Sequence, residues 1–445
     1  MGRRVVLVVP VFPRVSETFI VSKFLGLVER GWDIHVVCNR SDSKDWAQFP
    51  QLEAVPNLRK RIHVTWPTER SWKASLLLPL AVLQCFQSRP LRTFRYLWRG
   101  IRRFQVFETV GRLYLDAELV RLSPDILHFE FGALAPTRMY LRELLGCRVV
   151  VSFRGYDLNY VGLDRPNHYV PVWSRAAGLH FLGEDLWRRA RRRGFPADCF
   201  RVLIPPAIDT AIFAPRSSRR SASQEKRPLR ILSLGRLEWK KGYEDALLAV
   251  RKLLDRGIPL EYRIVGDGDY LGALGFARYR LGLEGCVEFV GALARAEVKE
   301  EMEKADVFLH AAVSEGFCNS VMEAQAMELP VVCTDADGLP ENVADGETGF
   351  VVRRRDPAAL AEKLELLARD PALARRMGEA GRRRVLEQFR LPDQLDRFET
   401  FYGEVLQRDP ASPVRSAGEP ETAEESGPHQ EAVPVAVGHG ENDGP

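Results

Sequence analysis

Residues 307–334 read VFLHAAVSEGFCNSVMEAQAMELPVVCT. An apolar run ends at a short Gly-containing turn, a helical stretch starts near Ser320, and a second apolar run follows Pro330. Runs of Val, Leu and Phe without polar alternation mark strands buried on both faces, as in parallel sheets covered by helices. The stretch therefore predicts a β-α-β unit whose turn opens at the carboxyl edge of a sheet, where such sheets bind ligands. Two carboxylates, Glu315 and Glu323, stand at that opening.

Outward from this unit the same alternation fills the chain. Strands are predicted at 5–11, 33–38, 126–130, 148–153 and 179–183 in the first half, and at 230–235, 261–266, 287–291, 307–311 and 331–335 in the second. Between the halves lies IPPAIDTAIFAPRSSRRSASQEKRPLR (204–230), whose Ser, Arg and Pro content reads as a linker. The fold class is α/β, with two doubly wound domains facing each other across a cleft. The expected division is a first domain over 1–205, a linker over 206–229, a second domain over 230–390, a last helix over 391–407 and a disordered, apolar-poor tail over 408–445.

Composition excludes several classes of protein. The chain of 445 residues carries 64 Lys and Arg against 60 Asp and Glu, a balance of +4 that gives no general nucleic-acid footprint. Its 7 cysteines form no C-x-x-C pair, which fits a reducing cytoplasm. No residue set shows metal-ligand spacing. MGRRVVLVVPVFP reads as a first strand rather than a leader, because Pro10 and Pro13 cut the apolar run, and Val6 argues against myristoylation. LLLPLAVLQCF (76–86) is too short to span a bilayer.

The helix near Ser320 offers unpaired N–H groups to an anion, whereas the flanking carboxylates accept hydrogen bonds from hydroxyls. A ligand with phosphate in the middle and polyols at both ends suits this turn, and a nucleotide sugar is such a ligand. For Glu323 a structural reading competes, since Ser320-Val-Met-Glu323 matches a capping box. Glu315 precedes the helix and has no such role. SLGRLEWKKGYEDAL (233–247) supplies Arg236 and Lys241 in a loop before a helix beginning near Tyr243. EYRIVGDGDYLG (261–272) fails as a dinucleotide fingerprint because position 271 is Leu, so its glycines read as a tight turn.

GRLEWKKG, IVGDGD, VEFVG and SEGFCNSVMEAQAMELPVV, followed by DADGLPENVADGETGFVV, together resemble the nucleotide-binding half of the retaining glycosyltransferases of family 4, which have the two-Rossmann GT-B fold. The resemblance covers about 230–390 in order, and FPRVSETFIVSKFLGLVERG (12–31) is similar to the opening of a subset that builds bacterial exopolysaccharides and capsules. It implies a hexosyl transfer from a nucleotide diphosphate-sugar to a glycan or polyprenyl-linked acceptor, with no cofactor and no metal. Arg236 and Lys241 would hold the diphosphate, Glu315 the transferred sugar and Glu323 the ribose. The backbone of Gly316, Phe317 and Cys318 would approach the sugar, and that of Ser320 and Val321 the phosphate. Ser16 and Glu17 stand where related proteins carry paired glycines, with Ser16 also readable as a helix N-cap. SFRGYD (152–157) matches a donor-contacting S-x-H-G-x-D loop, with Asp157 in place and Arg154 where His is usual. That exchange keeps open a second reading, a nucleotide-sugar-binding partner protein impaired in catalysis. No nucleic acid is expected as a partner.

RPLRTFRYLWRGIRRFQVF (89–107) places arginines on one side of a helix, with Leu91, Phe94, Leu97, Trp98, Ile101 and Phe104 clustered on the other. Two readings stand: contact with the inner face of a membrane, or an ordinary helix packed by its apolar face. The packed helix is the preferred expectation.

Overall fold

In the computed structural model the described residues are 3–14, 17–55, 57–67, 71–197, 199–215 and 227–408. The apolar runs form two parallel sheets. The first comprises β1 (Arg4–Val11), β2 (Asp33–Arg40), β3 (Ile62–Val64), β4 (Ile126–Phe129), β5 (Arg148–Phe153), β6 (Gly178–Phe181) and β7 (Arg201–Leu203), in the order β3-β2-β1-β4-β5-β6-β7. The second comprises β8 (Leu229–Leu234), β9 (Leu260–Val265), β10 (Val287–Gly291), β11 (Val307–His310), β12 (Val331–Thr334) and β13 (Gly349–Val352), in the order β10-β9-β8-β11-β12-β13. Helices cover both faces, so residues such as Val5 to Leu7, Val149 to Val151 and Val331 to Cys333 are fully buried. This is the expected doubly wound α/β architecture, and it is the GT-B arrangement.

Strand order reverses between β1 and β4 in the first sheet and between β8 and β11 in the second. Such a switch point leaves a crevice at the carboxyl ends of its strands. The loops after β1, β4 and β5 bring Glu17, Glu130 and Arg154 to one edge; those after β8 and β11 bring Arg236, Lys241 and Glu315 to the other. The middle of the linker, residues 216–226, and the tail beyond Arg408 lie outside the described residues, so the expectations made for them stand without a structural counterpart here.

The last helix, Leu391–Gln407, returns to the first domain. Leu395, Phe398, Phe401, Tyr402, Val405 and Leu406 enter the core formed by β1, β2 and the helix Thr18–Glu29. Arg30 fixes its outer face through Asp396 at 2.5 Å and Glu399 at 2.6 Å. The Tyr402 hydroxyl meets His128 Nδ1 at 2.7 Å, and the chain continues from His128 Nε2 to Ser152 Oγ and on to His180 Nδ1, each at 2.7 Å. Burial holds both imidazoles neutral by pushing their pKa down, that of His180 to about 3. Two crossings thus join the domains, and Ile208 N–H donates to Phe389 O at 2.8 Å where they run side by side.

Residues 89–107 depart from the preferred expectation. The helix Pro90–Arg103 buries Thr93, Tyr96 and Gly100 instead of its apolar face. Tyr96 and Tyr140 donate to Asp116 Oδ2 at 2.7 and 2.8 Å, and Arg138 reaches Asp116 Oδ1 at 2.7 Å. A side chain on Gly100 would collide with Thr109, so the helix seats closely by its small and hydrogen-bonding residues. Leu97 and Phe104 tuck against the core, while Leu91, Phe94, Trp98 and Ile101 remain exposed.

Phe401 packs its ring beside Phe200 and against Gly178, at the seam between the returning helix and the first sheet. Phe401→Ala is expected to lower stability by roughly 3–5 kcal/mol, the cost of an aromatic cavity in a packed core. Urea unfolding monitored by circular dichroism measures it.

Candidate active site

Glu315 occupies the turn after β11, where a cation and an imidazole converge on its carboxylate. Lys241 Nζ forms an ion pair with Glu315 Oε2, and His310 Nε2 lies 3.4 Å from the same oxygen. Burial alone would raise the Glu315 carboxyl, but Lys241 and His310 hold it at about 2. Lys241 shows the converse: burial works against its charge, and Glu315 with Cys318 raises its pKa above the ordinary lysine value. Gly242 places Lys241. Its φ of +65° and the Ala311 carbonyl, 2.0 Å from where a Cβ would sit, leave room only for glycine.

Arg236 is about half exposed and tied to Glu238 at 2.6 Å, which Lys240 also contacts at 2.7 Å. Its guanidinium therefore has a protein carboxylate that an incoming anion would replace. The helix Asn319–Ala326 begins beside these cations, with Cys318 at the N-cap. Ser320 lies within the first turn and donates from Oγ to Leu234 O at 3.1 Å, tying the helix to the end of β8. The capping box is thereby corrected: the N-cap is Cys318, two residues before Ser320, and Glu323 makes no side-chain hydrogen bond among the described residues. Glu323 is half-buried, and desolvation lifts its carboxyl to about 7 against the pull of Arg295. The side chains of Phe317, Cys318 and Val321 are buried.

The first domain meets this edge at the backbone. A Cβ on Gly316 would lie 2.6 Å from the Cα of Gly155, so the loop that carries Glu315 touches the loop that carries Arg154. Asp337, at the other side of the same turn, accepts from Glu315 N–H at 3.1 Å, Ser314 Oγ at 2.7 Å and Asn159 Nδ2 at 3.0 Å, and pairs with Arg189 at 2.6 Å. Glu341 accepts from the N–H groups of Glu184 and Asp185 at 2.9 and 2.7 Å, across the domain boundary.

Arg154 does not reach into the cleft as an unpaired cation. Its Nη2 meets Glu130 Oε2 at 2.9 Å, its Nε donates to Glu130 O at 3.0 Å, and it lies over the Phe19 ring. Glu130 also holds Lys23. Burial would raise the Glu130 carboxyl, yet Lys23 and Arg154 keep it well below the ordinary range. The donor-contacting expectation for Asp157 is corrected. Its oxygens accept from Arg154 N–H at 2.8 Å and Ala133 N–H at 2.9 Å, so it shapes the loop from inside. Glu17 sits at the start of the helix Thr18–Glu29, within electrostatic reach of Arg154 and Arg236. One of its buried oxygens has no hydrogen-bond partner among the described residues, and burial raises its pKa. Ser16 lies outside the described residues.

Ligand spacing read along the chain misses one set of metal-binding residue types. His310 Nε2, a Glu315 oxygen and Cys318 Sγ lie within 4.8 Å of one another. The cation already on that carboxylate is Lys241, so a metal ion would compete with it.

The second switch point thus brings Lys241 onto Glu315 and leaves Arg236 half-exposed in the loop after β8. The family model for the group 1 glycosyl transferases matches residues 215–384. The GDP-mannose-dependent alpha-(1-6)-phosphatidylinositol monomannoside mannosyltransferase of Mycolicibacterium smegmatis is 31% identical over 289 residues, 60% of this chain and 73% of that protein. The chain belongs to the group 1 glycosyltransferases. It is also 28% identical over 383 residues to the putative colanic acid biosynthesis glycosyltransferase WcaL of Escherichia coli K12, covering 79% of this chain and 87% of that one. Among solved structures, Anabaena HepE in complex with UDP-glucose shares the fold, with a TM-score of 0.68, 15% identity and coverage of 90% of this chain and 99% of that one.

Because burial lifts Glu323 to about 7 from an ordinary 4.5, the unfolded chain releases this proton at lower pH than the folded one. The resulting loss of stability grows between pH 4.5 and 7 and is constant above. Glu323→Gln is therefore expected to melt above wild type at pH 8, with the difference closing as pH falls towards 4.5. Thermal unfolding across this pH range tests the sign.

Proposed function

We propose that this glycosyltransferase moves a sugar from a nucleotide diphosphate donor to a glycan or polyprenyl-linked glycan with retention at the anomeric carbon, in the manner of family 4, during surface polysaccharide synthesis. The observation that carries the reading is the charged cluster at the second switch point. Lys241 is paired with Glu315 on the turn after β11, Arg236 stands half-exposed in the loop after β8, and Glu323 lies on the helix Asn319–Ala326. A diphosphate would take the cations and the N–H groups of Ser320 and Val321, and Glu315 and Glu323 would accept from sugar and ribose hydroxyls. The relative named for colanic acid biosynthesis and the neighbour holding UDP-glucose support the acceptor class and the donor class.

In the proposed step the bond from the anomeric carbon to the diphosphate oxygen breaks and the acceptor oxygen bonds the same face. The acceptor proton passes to the leaving phosphate, whose charge Lys241 and Arg236 stabilise. Such a step needs neither a side-chain base nor a metal. Arg154 enters it through the field of its pair with Glu130, and the impaired-partner reading rested on that exchange alone. A lipid-carried acceptor would meet the enzyme at the inner membrane face through 89–107, where the helix leaves its apolar side uncovered.

Lys241→Ala and Arg236→Ala are each expected to abolish transfer and to weaken nucleoside-diphosphate binding. Wild-type turnover in either variant would overturn the assignment. Glu315→Gln should cut transfer by roughly a hundredfold, the scale of a lost transition-state contact, while free nucleoside diphosphate still binds. A thermal-shift screen of UDP-, GDP- and ADP-sugars followed by mass spectrometry of released sugar identifies the donor; binding without any released sugar would favour the impaired partner.

A further inference from the structure

The first domain carries a surface that neither its core nor its cleft uses. On the helix Pro90–Arg103, Leu91 and Phe94 are 74% and 62% exposed, and Trp98 and Ile101 extend the same stripe. The preceding helix, Ser71–Ser88, packs beside it and has a second stripe of Trp72, Leu76, Leu80 and Leu83 at helical spacing, with Leu76 72% exposed. Val106 and Phe107 open the next helix, Val106–Leu122, and are also exposed, Phe107 to 91%. A soluble protein rarely leaves so many large apolar side chains together without a partner.

Charge identifies the partner. From 71 to 107 the chain has Lys73, Arg89, Arg92, Arg95, Arg99, Arg102 and Arg103 and no Asp or Glu, in a chain whose overall balance is only +4. Arg102 lies over the Trp98 ring at 3.6 Å from its centroid, and Lys73 over Trp72 at 5.7 Å, so cations and indoles share the outer surface. Arg92, Arg95 and Arg99 line a hollow of about 120 Å³ against Leu144, Leu145 and Gly146. Arg92 and Arg99 donate to the carbonyls of Leu145 and Glu143 at 3.3 and 2.7 Å, which fixes two walls of that hollow. Among the described residues no helix is long and apolar enough to cross a membrane, so this surface would lie on a bilayer rather than in it.

We propose that the two-helix surface docks on an anionic bilayer, with the stripes entering the headgroup boundary and the arginine hollow taking a lipid phosphate. The hollow lies beside Ser123 and Gly146, which precede β4 and β5, so it marks the amino edge of the first sheet. The helix Val106–Leu122 runs back to that edge, which puts Phe107 at the opposite end of the surface, towards the cleft. A bound bilayer would then present a lipid-linked chain along the side of the domain that leads to the transfer site. The purpose of docking rests on the lipid-linked acceptor reading; the binding itself rests on the surface alone.

Sedimentation of the full chain with phosphatidylcholine vesicles, with and without phosphatidylglycerol, tests this. The wild type should bind only the anionic vesicles and release as salt rises. The double variant Arg95→Gln and Arg102→Gln should bind about thirtyfold more weakly, from the contribution of each cation near an anionic surface. Phe94→Ser with Trp98→Ser should lose binding while keeping the wild-type circular dichroism and thermal shift with nucleoside diphosphate. Equal binding to both vesicle types, or undiminished binding by both double variants, would overturn the proposal. A concentration-dependent wild-type dimer that the Phe94→Ser and Trp98→Ser pair dissolves, without vesicle binding, would assign the surface to a second copy instead. Vesicle binding lost while nucleotide binding persists would leave the transfer reading standing, so the two fail separately.

Discussion

A carboxylate taken out of water costs several kcal/mol unless cations and donors replace its solvent, and Glu315 meets that cost with Lys241 on one side and His310 on the other. The three come from separate segments: the loop after β8, the end of β11 and the turn that follows it. Seating the charge therefore fixes the spacing of the two central strands and the turn that leads into the helix Asn319–Ala326. Removing either cation would leave a buried anion short of partners, so the loop positions are mutually dependent. The turn that carries Glu315 is also where Gly316 meets Gly155 and where Asp337 binds the first domain through Asn159 and Arg189.

The first domain solves a similar problem with different chemistry. Glu130, at the end of β4, is enclosed by Lys23 and Arg154, and the buried chain from His128 through Ser152 to His180 lies beneath it. Tyr402 joins that chain from the returning helix. The packing of 391–407 on the first sheet and the charge state of the cleft floor are thus neighbours, His128 Nδ1 lying 3.7 Å from Glu130 Oε1. Polar networks of this kind specify a single arrangement because each unsatisfied member is costly. Arg154, read along the sequence as an exchange at the reacting centre, is in three dimensions the cover of a buried acid.

What was legible in the sequence followed from period and from local turns. Uninterrupted Val and Leu runs gave ten of the strands, because strands buried on both faces have no polar residues to confuse the pattern. The strands β3 and β7 were missed because three residues are too few to show a period, and the four-residue β13 was missed beside them. Glu315, Lys241 and Arg236 could be found because each follows a strand at the edge that binds ligands. Asp337, Asn159, Arg189 and Glu341 could not, since their roles exist only between domains and no spacing within one segment reports them. Asp157 misled because its place in a recognisable loop says nothing of which way a carboxylate turns.

The helix Pro90–Arg103 shows a different limit. Its sequence separates cations from apolar residues, and amphipathic periodicity ordinarily assigns the apolar side to the core. The seat is instead decided by Tyr96, which donates to Asp116, and by Gly100, which permits close approach, with Thr93 buried on the same side. Asp116, fully buried, needs donors, and Tyr96, Tyr140 and Arg138 supply them. Leaving that carboxylate without partners would cost more than exposing part of an apolar stripe to water. The buried acid turns the helix, and the outward apolar face follows from satisfying a charge inside.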